Sequence, residues 1–421
     1  MAITRDMDSK GLLLDVLITG CLAMIVFGPV LGIILEGYDF RAEPARPVIM
    51  TLLVMAGRLV FGLWRRNRLR HPSPPEQRVS ALGERLAAAS QSKILIFLIP
   101  VFLTILPFLL SKYWLSVVIL TLIYVLLGMG LNIVVGLAGL LDLGFVAFYA
   151  VGAYGYALGH QYLGLGFWTA LPFAAALAGL FGILLGFPVL RLHGDYLAIV
   201  TLGFGEIISL VLTNWIEFTG GPNGVNAPLP TLFGLEFRRR AKQGGTPFYE
   251  FFGIEYGPAQ RYIFIYLCLL AIVCLIAYSV YRLKRMPVGR AWEALREDEI
   301  ACRSLGVNHA TVKLAAFSLG ATIGGIAGVF FAGFQGFIDP LSFNFFESAL
   351  ILAIVVLGGM GSLPGVIISA VVLTMAPEFL REFSDYRVLI FGLLMITMMI
   401  WRPRGLVRDK RRKFDQEAAA S

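Results

Sequence analysis

The sequence predicts an all-α polytopic membrane protein with about ten core transmembrane helices and an N-terminal two-helix hairpin. Three observations carry this. Hydrophobic residues make up 58% of the 421 and charged residues only 15%, against about a quarter charged in soluble domains. The apolar residues come in blocks of roughly 20, the length a helix needs to cross a hydrocarbon core, where backbone polar groups must be satisfied within the segment. Lys and Arg gather in short stretches between the blocks, the pattern of cytoplasmic loops.

The predicted spans are 12–35, 48–64, 94–111, 114–135, 140–160, 166–190, 196–216, 262–283, 314–336, 345–358, 364–377 and 386–401. The first is longer than a signal-peptide core and reads as a retained anchor. One basic cluster is Arg65, Arg66, Arg68, Arg70 and Arg78. A second runs from Arg282 to Lys313, and a third from Arg402 to Lys413. Placing all three in the cytoplasm requires twelve crossings, with both termini cytoplasmic. That parity splits 345–377 at Gly358-Gly-Met-Gly-Ser-Leu-Pro364, a run poor for helix interior. It also puts 217–261 outside as a long external loop despite Arg238–Arg240, since long loops translocate with little regard to charge. Turns 220–224 and 358–364 are therefore expected on opposite faces.

Residues 1–64 form the predicted accessory hairpin, and 65–92 a polar cytoplasmic linker, in which His71-Pro-Ser-Pro-Pro75 excludes an ordinary helix. Residues 93–406 form the core and 407–421 a cytoplasmic tail. The net charge of +8 belongs to the loops. With no soluble basic domain, nucleic acid is not an expected partner. Four cysteines and four histidines are scattered without ligand spacing, so no metal site is expected.

The segment 286–313, MPVGRAWEALREDEIACRSLGVNHATVK, is the most informative. It reads as two short helices, the first from about Gly289 to Ser304 with a face of Ala291, Ala294, Leu295, Ala301, Cys302 and Leu305, interrupted at Asp298. Glu299 and Arg303 are spaced as an i,i+4 pair. Gly306 stands where a left-handed residue ends a helix, and Asn308 is placed to cap the next. Such an amphipathic elbow suits docking onto another protein, or merely joins two spans. On this local chemistry, Glu299→Gln is expected to be mild and Gly306→Val severe.

The elbow resembles the coupling loop of ABC-importer permeases, the part that seats in the ATPase. Ala301 and Gly306 match that loop's alanine and glycine, while its glutamate is displaced to Glu299. More specific are Gly136-Leu-Ala-Gly-Leu-Leu-Asp-Leu-Gly144, Gly152-Ala-Tyr154, Gly194 to Ile207, Thr219-Gly-Gly-Pro-Asn-Gly224, Val356 to Ser362 and Trp401-Arg-Pro-Arg-Gly-Leu406. Together these resemble the LivM-type permeases of branched-chain amino-acid importers over about 94–406. The resemblance implies an inner-membrane permease paired with a second, LivH-like permease. It further implies two ATPases (LivG- and LivF-like) that bind ATP-Mg, and a periplasmic binding protein delivering leucine, isoleucine or valine. It assigns ATPase coupling to Gly289, Arg290, Ala294, Arg296, Glu299, Ala301, Arg303 and Gly306.

Two carboxylates stand in apolar context as substrate-path candidates. Glu206 lies near the middle of 196–216, where a charge costs roughly 2.5–3.5 kcal/mol on insertion scales, so it is expected to face the bundle interior or a cavity. Asp142 lies nearer a span end. Recurrent glycines at 128–144 and 320–333 read first as close helix packing. The sequence contains no Gly-Lys pair and hence no phosphate loop, and no nucleophile–base constellation. No enzyme activity and no cofactor are expected in this chain. Two rivals remain open at this point: the same machine carrying urea or aromatic amino acids, and an ion-coupled secondary transporter.

Overall fold

A computed structural model describes residues 102–379 apart from 190, 191, 193, 233, 238–245, 254–256 and 258, together with residues 20, 24, 33–36, 39–42, 48, 51, 52, 55, 392, 406 and 407. The chain divides into two compact units, Met1–Val79 and Ser80–Ser421.

In the first unit, Gly20, Met24, Val48, Thr51, Leu52 and Met55 are helical. A Cβ on Gly20 would lie 2.6 Å from the Met55 sulfur, so the two stretches touch. Between them, strands β1 (Ile33–Glu36) and β2 (Asp39–Ala42) pair antiparallel. The predicted span 12–35 therefore ends earlier than expected. Ile33-Ile-Leu-Glu36 is apolar and β-branched enough to pair as a strand once a turn follows.

In the second unit, helix α1 (Lys112–Leu131) continues as a π-helical stretch at Asn132–Leu137. It is followed by α2 (Val146–Leu163), α3 (Phe167–Val189), α4 (Asp195–Asn214) and α5 (Gln260–Arg285). The elbow contributes α6 (Pro287–Glu297) and α7 (Glu299–Ser304). The long α8 (His309–Gln335) precedes α9 (Phe345–Gly358) and α10 (Leu363–Phe379). Five of the described helices are long and apolar enough to cross a membrane, with α9 and α10 shorter apolar helices. The split of 345–377 is thus present: Gly359 and Gly361 adopt φ of 102° and 86°, conformations that only glycine takes without strain. All of the predicted span 386–401 but the helical Gly392, and all of span 94–111 but residues 102–111, lie outside the described residues.

At 27 residues, α8 is about 40 Å long, and the core is built around it. Gly320, Gly325 and Gly328 on it admit neighbouring backbones, while Gly324 meets the Phe145 and Phe148 side chains. A Cβ on Gly328 would lie 2.2 Å from the Tyr149 carbonyl oxygen, and one on Gly152 would lie 2.2 Å from the Gly325 oxygen, so α2 and α8 cross at backbone contact. On its other side, Gly182 of α3 faces Ala321 and Phe317.

The two ends of α8 are distinct. Beyond its C-terminus, β6 (Phe337–Ile338) pairs with β3 (Val225–Asn226), which brings in the 220–224 turn. The 217–261 loop also forms β4 (Leu235–Glu236) and β5 (Thr246–Pro247), which pair in parallel. Loop carbonyls cover the helix ends: Tyr156 donates to Pro228 O at 2.9 Å and the Trp168 indole to Thr231 O at 3.1 Å. Tyr162 stacks on Phe218, itself against Trp215, and all three are exposed as an interfacial aromatic belt would be. The N-terminal end of α8 carries the elbow and, as described below, the 358–362 turn. Turns 220–224 and 358–364 therefore lie at opposite ends of α8.

The predicted span 140–160 is broken. Residues 138–145 are irregular and α2 starts only at Val146. Irregular backbone at membrane depth is tolerated where protein satisfies it. Here three buried side chains do so. The Leu143 N–H donates to Thr201 Oγ1 at 3.0 Å, Gly144 N–H to Asp142 Oδ1 at 2.8 Å, and Val146 N–H to Ser348 Oγ at 3.0 Å. Asp142 is 0% exposed. It is thus a turn-holding acceptor. Asp142→Ala is expected to strand the Gly144 N–H at a cost of about 1–3 kcal/mol. Melting of the solubilised protein reads this, and Asp142→Asn, which keeps the acceptor oxygen, is expected to lose less.

Candidate coupling site and outward face

The first of the two short helices expected in the elbow is itself split in two. Asp298 is extended, and its Oδ1 accepts from Ile300 N–H at 2.8 Å and Ala301 N–H at 3.0 Å, so it ends α6 and caps α7. This break resets the helical phase. Gly289, Trp292, Leu295 and Cys302 face inward, while Ala294, Ala301 and Leu305 of the predicted face are exposed.

The local chemistry beyond the break follows the sequence. Gly306 has φ of 81°. Its N–H bonds Arg303 O at 3.0 Å and the Val307 N–H bonds Cys302 O at 3.1 Å, closing α7 with the paired bonds of a glycine C-cap. Asn308 then caps α8, accepting from Ala310 N–H at 3.1 Å. Glu299 meets Arg303 at 2.6 Å.

Glu299 has a second and better-buried partner. Lys313 Nζ lies 3.0 and 2.9 Å from its two oxygens, and the Lys313 side chain is 1% exposed. The expected mildness of Glu299→Gln is therefore corrected: the change leaves a buried ammonium without its carboxylate. Trp292, also unrecognised as a site residue, is fully buried and its indole donates to Val312 O at 2.8 Å.

The other face of the elbow closes on the bundle. A Cβ on Gly289 would lie 2.3 Å from Leu283 O, so α6 can fold back on α5 only with glycine there. The Arg296 guanidinium donates to Gly136 O, and its stem packs on Gly139, whose φ is 72°. Gly361 N–H bonds Asn132 Oδ1 at 2.8 Å and Lys284 Nζ donates to Gly361 O at 3.0 Å. Leu406 N–H reaches Leu357 O at 2.8 Å. Two separate glycine-rich stretches of the sequence, around Gly136–Gly139 and Gly358–Gly361, thus meet the elbow at one junction. The outward residues include Glu293, Glu297, Arg303 and Ser304, and among them stand two large apolar side chains, Ile300 at 81% and Leu305 at 82% exposed. Arg290 is exposed beside this surface.

Glu206 departs from expectation. It sits on α4, whose hydrophobic window is only 22% buried, and it is exposed. With Ile199, Gly203, Ile207 and Leu210 it forms a face turned away from this chain's own core. The sequence argument required cover for the carboxylate; among the described residues none supplies it. Among the described residues, no group of His, Cys, Asp and Glu could hold a metal ion.

The sequence profile described as branched-chain amino acid transport system / permease component matches residues 113–399. This chain belongs to that family. It is 57% identical over 303 residues to the high-affinity branched-chain amino acid transport system permease protein LivM of Escherichia coli K12, covering 72% of this chain and 71% of the relative. The LivM of Salmonella typhimurium LT2 is similar to the same extent. The LivH permease of E. coli K12 is 27% identical over 300 residues, covering 68% of this chain and 91% of that protein. No solved structure matches. The chain is accordingly a multi-pass transport permease and not an enzyme.

Proposed function

We propose that this chain is one of two permeases of an ATP-driven importer of leucine, isoleucine and valine in a bacterial inner membrane. The elbow seats on a LivG- or LivF-like ATPase, which binds ATP-Mg. A LivH-like permease covers the outward face of α4, and a periplasmic binding protein delivers the amino acid. The elbow end of α8 is then cytoplasmic and the 220–224 end periplasmic. The termini are cytoplasmic on the same parity.

The observation that carries this reading is the exposed apolar pair Ile300 and Leu305 on an element otherwise bonded into the bundle. Large apolar residues exposed together on a surface clear of the apolar spans favour cover by a partner. The outward Glu206 supports the second part, because a carboxylate facing lipid is expensive and one facing a second permease can meet the ammonium of a passing amino acid. The test is co-purification. Ile300→Asp and Leu305→Asp are expected to insert normally and to lose the ATPases. ATPases retained by both variants sink the docking surface.

A further inference from the structure

We infer that the Glu299–Lys313 ion pair is the link through which the elbow moves the membrane helices, both residues acting as positioning residues for coupling. The inference rests on the docking reading above, and deepens it by naming how displacement leaves the docked element.

Lys313 is the fifth residue of α8, just past its first turn, 1% exposed, with its ammonium held by both oxygens of Glu299 at 3.0 and 2.9 Å. The N-terminal end of a helix is the positive end of its dipole, so α8 itself gives a buried cation no relief. Glu299 is in the first turn of α7, where a carboxylate is favoured. The pair therefore joins two helix starts that complement each other only together. The preceding residue is held as well, since Val312 O accepts the buried Trp292 indole. Residues 312 and 313 are thus gripped by α6 and α7 respectively.

What lies beyond that grip is stiff. Helix α8 meets α2 at backbone contact through Gly152 and Gly328, leaving no side-chain slack between them. A shift of Lys313 along the α8 axis must carry that crossing with it. A buried ion pair is seldom more stabilising than apolar packing of the same shape, whereas it fixes one register and penalises others. Arg303 is a different matter: 45% exposed, it pairs with Glu299 within α7 itself.

The experiment uses the complete complex of permeases and ATPases in proteoliposomes supplied with the binding protein. It measures bound ATPase, ATP hydrolysis and leucine uptake. Glu299→Gln is isosteric and leaves the Asp298 cap and the Gly306 turn in place. Glu299→Gln and Lys313→Met are expected to keep the ATPases and to hydrolyse ATP, while uptake per ATP falls about tenfold. The reversed pair, Glu299→Lys with Lys313→Glu, is expected to regain much of that ratio, and Arg303→Gln to lose less of it than either single variant. A merely structural pair would lower the yield of complex without changing uptake per ATP. Should Lys313→Met fail to assemble, Glu299→Gln alone decides. Parental uptake per ATP in the assembled single variants overturns the link, as does an Arg303→Gln variant equally uncoupled. ATPases that remain on Ile300→Asp and Leu305→Asp overturn the docking surface instead, and leave this ratio readable.

Discussion

Gly152→Leu is expected to abolish the folded permease. A Cβ alone at this position would lie 2.2 Å from the Gly325 oxygen and 2.4 Å from its Cα. Both obstacles are backbone, which cannot rotate aside, so α2 and α8 must separate along their whole crossing. Overpacking costs typically 1–3 kcal/mol where side chains can shift; a backbone clash belongs at or above the upper end. Yield after solubilisation, melting temperature and uptake are all expected to collapse, with Gly328→Leu matching it because its Cβ would meet the Tyr149 oxygen at 2.2 Å. Gly203→Leu on α4 is the control, since a Cβ there meets nothing within 4 Å. That variant is expected to fold in isolation and to weaken only association with the second permease. A Gly152→Leu protein that melts and transports like the parent contradicts the crossing.

Gly306→Val is the second large effect, and it acts without a clash. No atom lies within 4 Å of the Cβ position, but the residue holds φ at 81°. A β-branched side chain there costs of order 1–3 kcal/mol, enough to unmake the turn that sets α7 against α8. The membrane helices are expected to insert normally. The ATPases are expected to be lost, or to hydrolyse ATP without uptake. Gly306→Asn, which enters the left-handed region at lower cost, is expected to retain a large part of the activity. Equal uptake by the valine variant and the parent at matched expression removes the elbow from the mechanism.

These two glycines also show what the sequence disclosed. Gly306, Asn308 and the Glu299–Arg303 pair were legible because each acts on backbone or side chains within five residues, and local rules cover that distance. Asp298 was read as an interruption when its preference for cap positions already offered the break between α6 and α7. The contacts of Lys313 with Glu299, Trp292 with Val312 and Arg296 with Gly136 join separate elements, 14, 20 and 160 residues apart. No periodicity encodes them. Glu206 was placed inward by treating the chain as if it had to bury its own charge. Its exposure on α4 follows once cover can come from a second chain. The helical spans themselves were legible from hydropathy, and the broken start of α2 was not, because Leu140 to Val146 is as apolar as a helix apart from Asp142.

That broken start has a consequence in time. Val146 draws its acceptor from Ser348, 202 residues later, and Leu143 from Thr201, 58 residues later. At synthesis rates of about 5–20 residues per second, roughly 10–40 s separate the emergence of Val146 from that of Ser348. Throughout that interval the head of α2 is an unfinished surface, with a donor that lipid cannot satisfy. The segment cannot be handed to the bilayer as a completed unit. It must wait beside the translocation machinery, or keep water with it, until α9 is made, so chains halted before residue 348 are expected to be substrates for membrane proteolysis rather than partial permeases.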